Sequence, residues 1–234
     1  MIDFHSHILP GVDDGARTED ESKQMILEAK QYGFDKIIAT SHYAVDCYEV
    51  PEYKRKTLLE ELGHVKDAPE LYLGSEVFIT FNMLNLLQDF NASTINGTRY
   101  VLFELPLRRH FTNFKDIISN LINNDYKLIL AHPERYLEVQ ENFDLLYELS
   151  DMGVLLQSNF SSFVGHYGFK AKSVVKKMLS EELISFMGSD VHRPGHIYPL
   201  IPKALKKMSK IASVDYIERI TKSNAEKILN GEEL

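Results

Sequence analysis

Eight side chains of metal-ligating type close or directly follow short apolar runs: His5 and His7, His42, Glu76, Glu104, His132, and Asp190 with His192. A lone histidine such as His42 or His132 is more often a satisfied imidazole than a ligand, so no single member carries the inference. The recurrence carries it. Glu76 and Glu104 end apolar runs, where an unpaired carboxylate has a large desolvation cost, and few Lys or Arg flank these positions to neutralise them. His5/His7 and Asp190/His192 are spaced i and i+2, and a strand's period of two aims both members of each pair the same way. A mixed imidazole and carboxylate set without Cys suits manganese, iron or zinc and disfavours a closed structural zinc site. More ligands than one ion needs imply several ions. Adjacent divalent ions generate a hydroxide nucleophile near neutral pH and clamp the oxygens of an ester in an in-line displacement. Hydrolysis of a phosphate ester is the expected reaction.

The elements that must position these groups are strands. Runs at Ile2–His5, Lys36–His42, Leu71–Glu76, Tyr100–Glu104, Lys127–His132, Val154–Asn159 and Ile184–Asp190 have strand length and are mostly β-branched or aromatic. Helix-period segments lie between them, such as Phe114, Ile117, Ile118, Leu121 and Ile122, or Val174, Val175, Met178 and Leu179. Thr18 with Glu21 marks a capping box opening the first helix, which stops at Gly33, and Ser223 with Glu226 marks a second box opening a final helix that ends near Gly231. Strand starts recur roughly every 30 residues, the pitch of a βα unit, and the strands read as buried on both faces. The expected fold is α/β, an irregular seven-stranded (β/α) barrel related to the TIM barrel, with a doubly wound open sheet as the competing architecture. In either, the carboxyl ends of the strands converge on one face. No linker divides the chain, so residues 1–234 read as one domain, with helices added from Lys203 onward.

Composition narrows the class. The chain has 234 residues, a formal charge of −8 and 44% hydrophobic residues, which excludes disorder and collagen-like repeats. A single cysteine, Cys47, cannot form an internal disulfide and points to the cytoplasm. Met1 to His5 lacks the basic and apolar regions of an export signal, and no apolar run reaches the roughly 18 residues needed to span a bilayer. Net negative charge argues against nucleic acid as a partner.

The motifs Asp3-Phe4-His5-Ser6-His7, Val12-Asp13-Asp14-Gly15, Ser41-His42, Gly74-Ser75-Glu76, His132-Pro133-Glu134-Arg135-Tyr136 and Ser189-Asp190-Val191-His192 together resemble a PHP-family phosphoesterase. Within that superfamily the chain most resembles the bacterial metal-dependent protein-tyrosine phosphatases of capsule and exopolysaccharide operons, and the likeness covers nearly its whole length. The resemblance implies a PHP-type barrel and three divalent ions, manganese first and iron or zinc as alternatives. It also adds Asp14, which otherwise reads as a turn residue. On the family pattern His5, His7 and Asp190 hold one ion with Glu76 bridging; Glu76, Glu104 and His132 hold a second; Asp14, His42 and His192 hold the third. The implied partner is the tyrosine-phosphorylated tail of a bacterial kinase that governs polysaccharide export.

Arg135 resembles the family's phosphate-binding arginine, and its guanidinium fork suits two phosphoryl oxygens. Arg193, in a shorter loop than the family's, takes the place of the second arginine, with Arg17, Arg108 and Arg109 as other sources of positive charge and His196 nearby. A phenol leaving group has a pKa near 10, so an aryl phosphate needs no strong general acid. Tyr43, Tyr48, Tyr53, Phe78 and Phe81 are candidates for an aromatic wall, whereas His64, His110, His166 and Cys47 receive no role. Two other functions fit the same residues: a phosphoesterase for a small molecule such as histidinol phosphate, and a catalytically silent metal-binding or kinase-docking protein.

Overall fold

Strands rich in Val, Ile, Leu and Phe without polar alternation need cover on both faces, and parallel strands joined by crossover helices provide it. The computed structural model, which describes residues 1–234, has nine short strands. They are β1 (Ile2–Ser6), β2 (Lys36–Ala39), β3 (His42–Tyr43), β4 (Glu70–Leu73), β5 (Glu76–Phe78), β6 (Tyr100–Glu104), β7 (Lys127–Ala131), β8 (Leu155–Asn159) and β9 (Phe186–Gly188). All strand pairings are parallel, in a three-stranded sheet ordered β1-β2-β4 and a six-stranded sheet ordered β3-β5-β6-β7-β8-β9.

Two of the expected strands are each divided. The run Lys36–His42 breaks at Thr40-Ser41, and the run ending in Glu76 breaks at Gly74-Ser75. At both breaks the chain leaves the first sheet and joins the second, so β2 and β3 occupy one position of the curl and β4 and β5 another. Gly74 shows why no side chain fits there: a Cβ would lie 2.8 Å from Ile95 Cδ1. The far end returns to the start, with Asp190 N donating to His5 O at 2.7 Å and His7 N donating to Val191 O at 3.0 Å. Gly188 permits that approach, since a Cβ would stand 2.5 Å from His5 Cβ. The order therefore runs round a curled barrel, without the reversal of a doubly wound sheet.

Alternate strand residues, among them Ile2, Phe4, Ile38, Leu102 and Ile129, form a cluster of 12 buried residues with Ala225, Ile228 and Leu229 from the C-terminal helix. Their neighbours in sequence, such as Ile37, Val101, Phe103 and Leu130, join a cluster of 51 buried residues that includes Ile117 and Leu121 of the helix Phe114–Asn123 and Val175 and Leu179 of the helix Gly168–Ser180. Glu104 continues the face of Tyr100 and Leu102, so its carboxylate falls above the inner cluster, at the strands' carboxyl ends.

Thr18 caps the first helix, Glu19–Gln31, by accepting from Glu21 N at 3.2 Å, and Gly33 follows its end at φ +87°. The reciprocal half of the box differs: Glu21 accepts from Arg17 N rather than from Thr18. The second expected box is not a helix start. Ser223 is helical and caps nothing; the helix opens earlier, where Ser213 accepts from Tyr216 N at 3.2 Å, and continues through a π turn at Arg219–Ser223 to Leu229. The Ser-x-x-Glu spacing alone does not distinguish a cap from a helix interior. No helix is long and apolar enough to cross a membrane.

Candidate metal centre

The curl brings all nine sequence-selected ligands to one place. Four overlapping groups have donor atoms within 4.8 Å of one another: His7, Asp14, His42 and His192; His5, His7 and Asp190; His5, Glu76 and His132; and His42, Glu76 and Glu104. Glu76 is the hub. Its Oε2 lies 3.2 Å from His5 Nε2, 3.4 Å from His7 Nε2 and 3.1 Å from His42 Nδ1, while its Oε1 lies 2.7 Å from His132 Nε2. Asp190 Oδ1 stands 3.4 Å from His7 Nε2 and 3.7 Å from His5 Nε2, and Asp14 Oδ1 stands 3.3 Å from His192 Nε2 and 3.6 Å from His42 Nε2. His132 (φ +34°) and Asp190 (φ +56°) sit in the left-handed region, strained backbone of the kind that concentrates at functional sites.

These residues fit divalent ions on the structure's own terms. Donors sharing an ion at about 2.1 Å stand about 3.0–3.4 Å apart, which is the range of most of the spacings above. Four buried atoms in the cluster, His42 Nδ1, Glu76 Oε1, His132 Nδ1 and Asp190 Oδ1, make no aligned hydrogen bond. Three of the four belong to the contacts just described. Donors that face one another at close range without hydrogen-bond alignment are aimed at a shared centre.

A supporting layer fixes the rings. Asp13 accepts from His7 Nδ1 at 2.8 Å, from His42 N at 2.8 Å and, through its other oxygen, from Gly15 N at 2.8 Å. Gln157 Oε1 lies 2.9 Å from His5 Nδ1 and accepts from His132 N at 3.3 Å. These bonds leave Nε2 of His5 and His7 to the cluster. Asn159 Nδ2 and Tyr167 O–H donate to Asp190 Oδ2 at 2.8 and 3.2 Å. Asp13, Gln157, Asn159 and Tyr167 were not singled out from the sequence. Only Asp13 had a signal, as the first carboxylate of the Asp-Asp-Gly loop.

The charges are strongly coupled. Burial disfavours the imidazolium of His5, His7 and His42, yet the carboxylates around them prevail and raise all three, His42 to about 9. Burial likewise opposes ionised Glu76 and Asp190, but His5, His42 and His132 hold the first, and Arg135 and His5 the second, well below the usual carboxylate range. His42 raised above its ordinary 6.5 stabilises the metal-free fold below pH 6.5, and that contribution is lost as the pH rises through about 9. An incoming ion must expel its proton, so metal loading near neutral pH releases protons and tightens as the pH rises towards 9. Calorimetry in buffers of different ionisation enthalpy checks this; loading with no proton release contradicts it.

Beside the cluster is a cavity of about 230 Å³ lined by Arg135, His166, Tyr167, Asp190, His192, Arg193, His196 and Ile197. Arg135 donates to Asp190 Oδ2 at 2.6 Å and lies over the Tyr167 ring, 4.3 Å from its centre. Arg193 Nη1 donates to the carbonyls of Asp14, at 2.7 Å, and of Gly15, tying down the loop that carries Asp14. Arg17, Arg108 and Arg109 do not line the cavity, whereas His166, given no role from the sequence, does. Of the candidate aromatics, Tyr48 stacks on His42 at 5.7 Å between ring centres, Tyr43 is buried in the core, Tyr53 is exposed, and Phe81 pairs with Phe111 at 6.1 Å.

The family described as "Capsular polysaccharide synthesis, CpsB/CapC" matches residues 1–230. The chain belongs to the CpsB/CapC family. It is 29% identical to the tyrosine-protein phosphatase CpsB of Streptococcus pneumoniae, over 98% of both chains. It is 32% identical to the tyrosine-protein phosphatase YwqE of Bacillus subtilis, over 82% of this chain and 77% of YwqE. Its fold superposes with a TM-score of 0.91 and 29% identity, over 100% of this chain and 96% of the other, on a structure from work on YwqE and S. pneumoniae CpsB, described as unique metal-dependent tyrosine phosphatases. A histidinol phosphate phosphatase from Lactococcus lactis shares the fold, with a TM-score of 0.60 and 16% identity over 90% of this chain and 93% of that one. The PHP-type barrel read from the motifs is the fold this CpsB/CapC member has.

Proposed function

We propose that this chain is a metal-dependent protein-tyrosine phosphatase. In this reading its substrate is the phosphorylated tyrosine tail of a bacterial kinase that controls capsule or exopolysaccharide synthesis, and its compartment is the cytoplasm. The observation that carries the reading is the set of four interlocking donor groups opening beside Arg135; the family names of CpsB and YwqE support the substrate. In this reading His5, His7, Asp190 and Glu76 would hold one ion, Glu76, Glu104 and His132 a second, and Asp14, His42 and His192 a third, with manganese preferred over iron or zinc. Since these residues run from position 5 to 192, residues 1–234 act as one catalytic unit.

When bound, divalent ions supply Lewis acidity to the phosphoryl oxygens and lower the pKa of water. The chain's own groups do the rest. Arg135, held by Asp190 and by the Tyr167 face, presents its remaining N–H groups to phosphoryl oxygens and offsets their charge as the ester bond to the phenol breaks. Arg193 keeps the Asp14 loop closed against the cavity. A phenolate leaves without a strong acid, so the reading asks no side chain of the cavity to protonate the leaving oxygen.

The test is phosphate release by purified protein from a phosphotyrosine peptide, with and without added manganese, using histidinol phosphate as comparator. Metal-dependent release with preference for the peptide is expected. Preference for histidinol phosphate would replace the substrate, and bound metal without turnover on either would leave a binding protein.

A further inference from the structure

In a chain of net charge −8, the helices Gly168–Ser180 and Ile201–Met208 carry Lys170, Lys172, Lys176, Lys203, Lys206 and Lys207, none with a carboxylate within 4.0 Å. Several lysines elsewhere do find acidic partners, Lys23 with Glu19, Lys30 with Asp35 and Lys56 with Glu52, and on the first of these helices only Lys177 does, with Glu181. Lys172 and Lys176 are one turn apart on the first helix, as are Lys203 and Lys207 on the second, so each pair shares a helix face. Lys207 Nζ rests on Phe163 O at 3.3 Å, in the turn Phe160–Val164 that both helices pack against. Lys172 lies beside that same turn, its Cδ 3.5 Å from a Cβ placed on Gly165, and burial together with the like charges of Lys172 and Lys176 on the first helix and Lys203 on its own pulls the Lys207 ammonium below the usual lysine range.

The position of this basic strip matters as much as its charge. His166 and Tyr167 on one side and His196 and Ile197 on the other line the cavity beside Arg135; the first helix starts directly after Tyr167, at Gly168, and the second starts at Ile201, one short turn (Tyr198–Leu200) after Ile197. Phe169, 84% exposed, marks the rim between cavity and strip. A helix of 13 residues is about 20 Å long, which an extended peptide covers with about six residues.

We propose that the facing lysines Lys172, Lys176, Lys203 and Lys207 form a track that binds an acidic or further phosphorylated segment of the same substrate chain as the phosphotyrosine in the cavity. The proposal rests on the phosphatase reading for the placement of that phosphotyrosine. Four uncompensated cations held together repel one another, and an anionic segment relieves that repulsion while an uncharged one does not. The track thus selects which phosphotyrosines are cleaved, without touching the reacting atoms.

The test compares two phosphotyrosine peptides, one with four glutamates in the six residues on each side and one with serines in their place. Metal-loaded full-length protein should cleave the acidic peptide with a KM about tenfold lower and kcat unchanged, an advantage that fades with added salt. The combined variant Lys172→Glu, Lys176→Glu, Lys203→Glu, Lys207→Glu should lose the advantage while hydrolysing 4-nitrophenyl phosphate normally; the four Lys→Gln changes repeat the test with less charge disturbance. Binding of the same peptides with an uncleavable phosphonate in place of phosphate, read by fluorescence anisotropy, decides the track independently of turnover. Lysine-dependent binding without hydrolysis of any ester would remove the phosphatase reading and keep the track. Equal affinity for both peptides, or an advantage surviving in the variants, would overturn it. So would lysine-dependent binding to vesicles containing phosphatidylglycerol with no discrimination between peptides, which would make the strip a membrane-facing surface.

Discussion

Replacing Glu76 by Gln is expected to lower kcat/KM by about 10³-fold or more, about 4 kcal/mol at the transition state, and to reduce the metal content of the purified protein. Glu76 is fully buried and lies within 3.4 Å of His5, His7, His42 and His132, so its carboxylate belongs to two of the four donor groups and touches histidines of the other two. Gln keeps the shape but offers one neutral oxygen. The four imidazoles then lose the anion that allows them to stand together, and cations entering the cluster lose their shared ligand. Atomic absorption on the purified variant, alongside peptide turnover, checks both parts. Full metal content with wild-type turnover would show that Glu76 is not the hub the distances make it.

Replacing Arg135 by Ala is expected to have a different signature: a loss of about 10²- to 10³-fold in kcat/KM with metal content retained. The guanidinium touches only the outer oxygen of Asp190, whose other oxygen faces His7 and His5. Asn159 and Tyr167 still donate to that outer oxygen, so Asp190 keeps its orientation when the arginine is gone. Lysine should restore little, because a single ammonium cannot hold Asp190 and two phosphoryl oxygens in one plane. Turnover measured at matched metal occupancy separates this role from metal binding. If the Ala variant loses its metal in proportion to its activity, Arg135 is part of the ligand scaffold and not a phosphate-binding group.

The ligand set was legible because its chemistry sits where strands end, and strand ends are visible in sequence. His5, His42, Glu76, Glu104, His132 and Asp190 close apolar runs, so periodicity and residue type sufficed. Asp14 lies in a loop with no period at all, and only the motif likeness pointed to it. Asp13, next to it, binds two of the ligand residues, but adjacent carboxylates in a glycine-flanked loop cannot be ranked without the loop's path. Gln157, Asn159 and Tyr167 were illegible for another reason: an amide or phenol supporting a ligand is the same residue type as one supporting an ordinary turn, and only proximity separates them. The division of β2 from β3 and of β4 from β5 escaped periodicity because the apolar run continues through each break. At the second break Gly74 is required because a Cβ would meet Ile95, a neighbour from a segment outside the run.

That division has a consequence for how the molecule opens. The three-stranded sheet contributes His5, and the six-stranded sheet contributes His42, Glu76 and Glu104, so the donor groups bridge the seam between two hydrogen-bonded ladders. Away from the ligands, the seam is crossed by the inner apolar cluster and by few backbone bonds, those joining the β1 segment to residues 190–191 and Glu76 N to Thr40 and Ser41. Amide exchange should therefore report two cooperative blocks in chelator-treated protein, with β1, β2 and β4 exchanging ahead of β6, β7 and β8. Reloading with divalent cation should merge them into one.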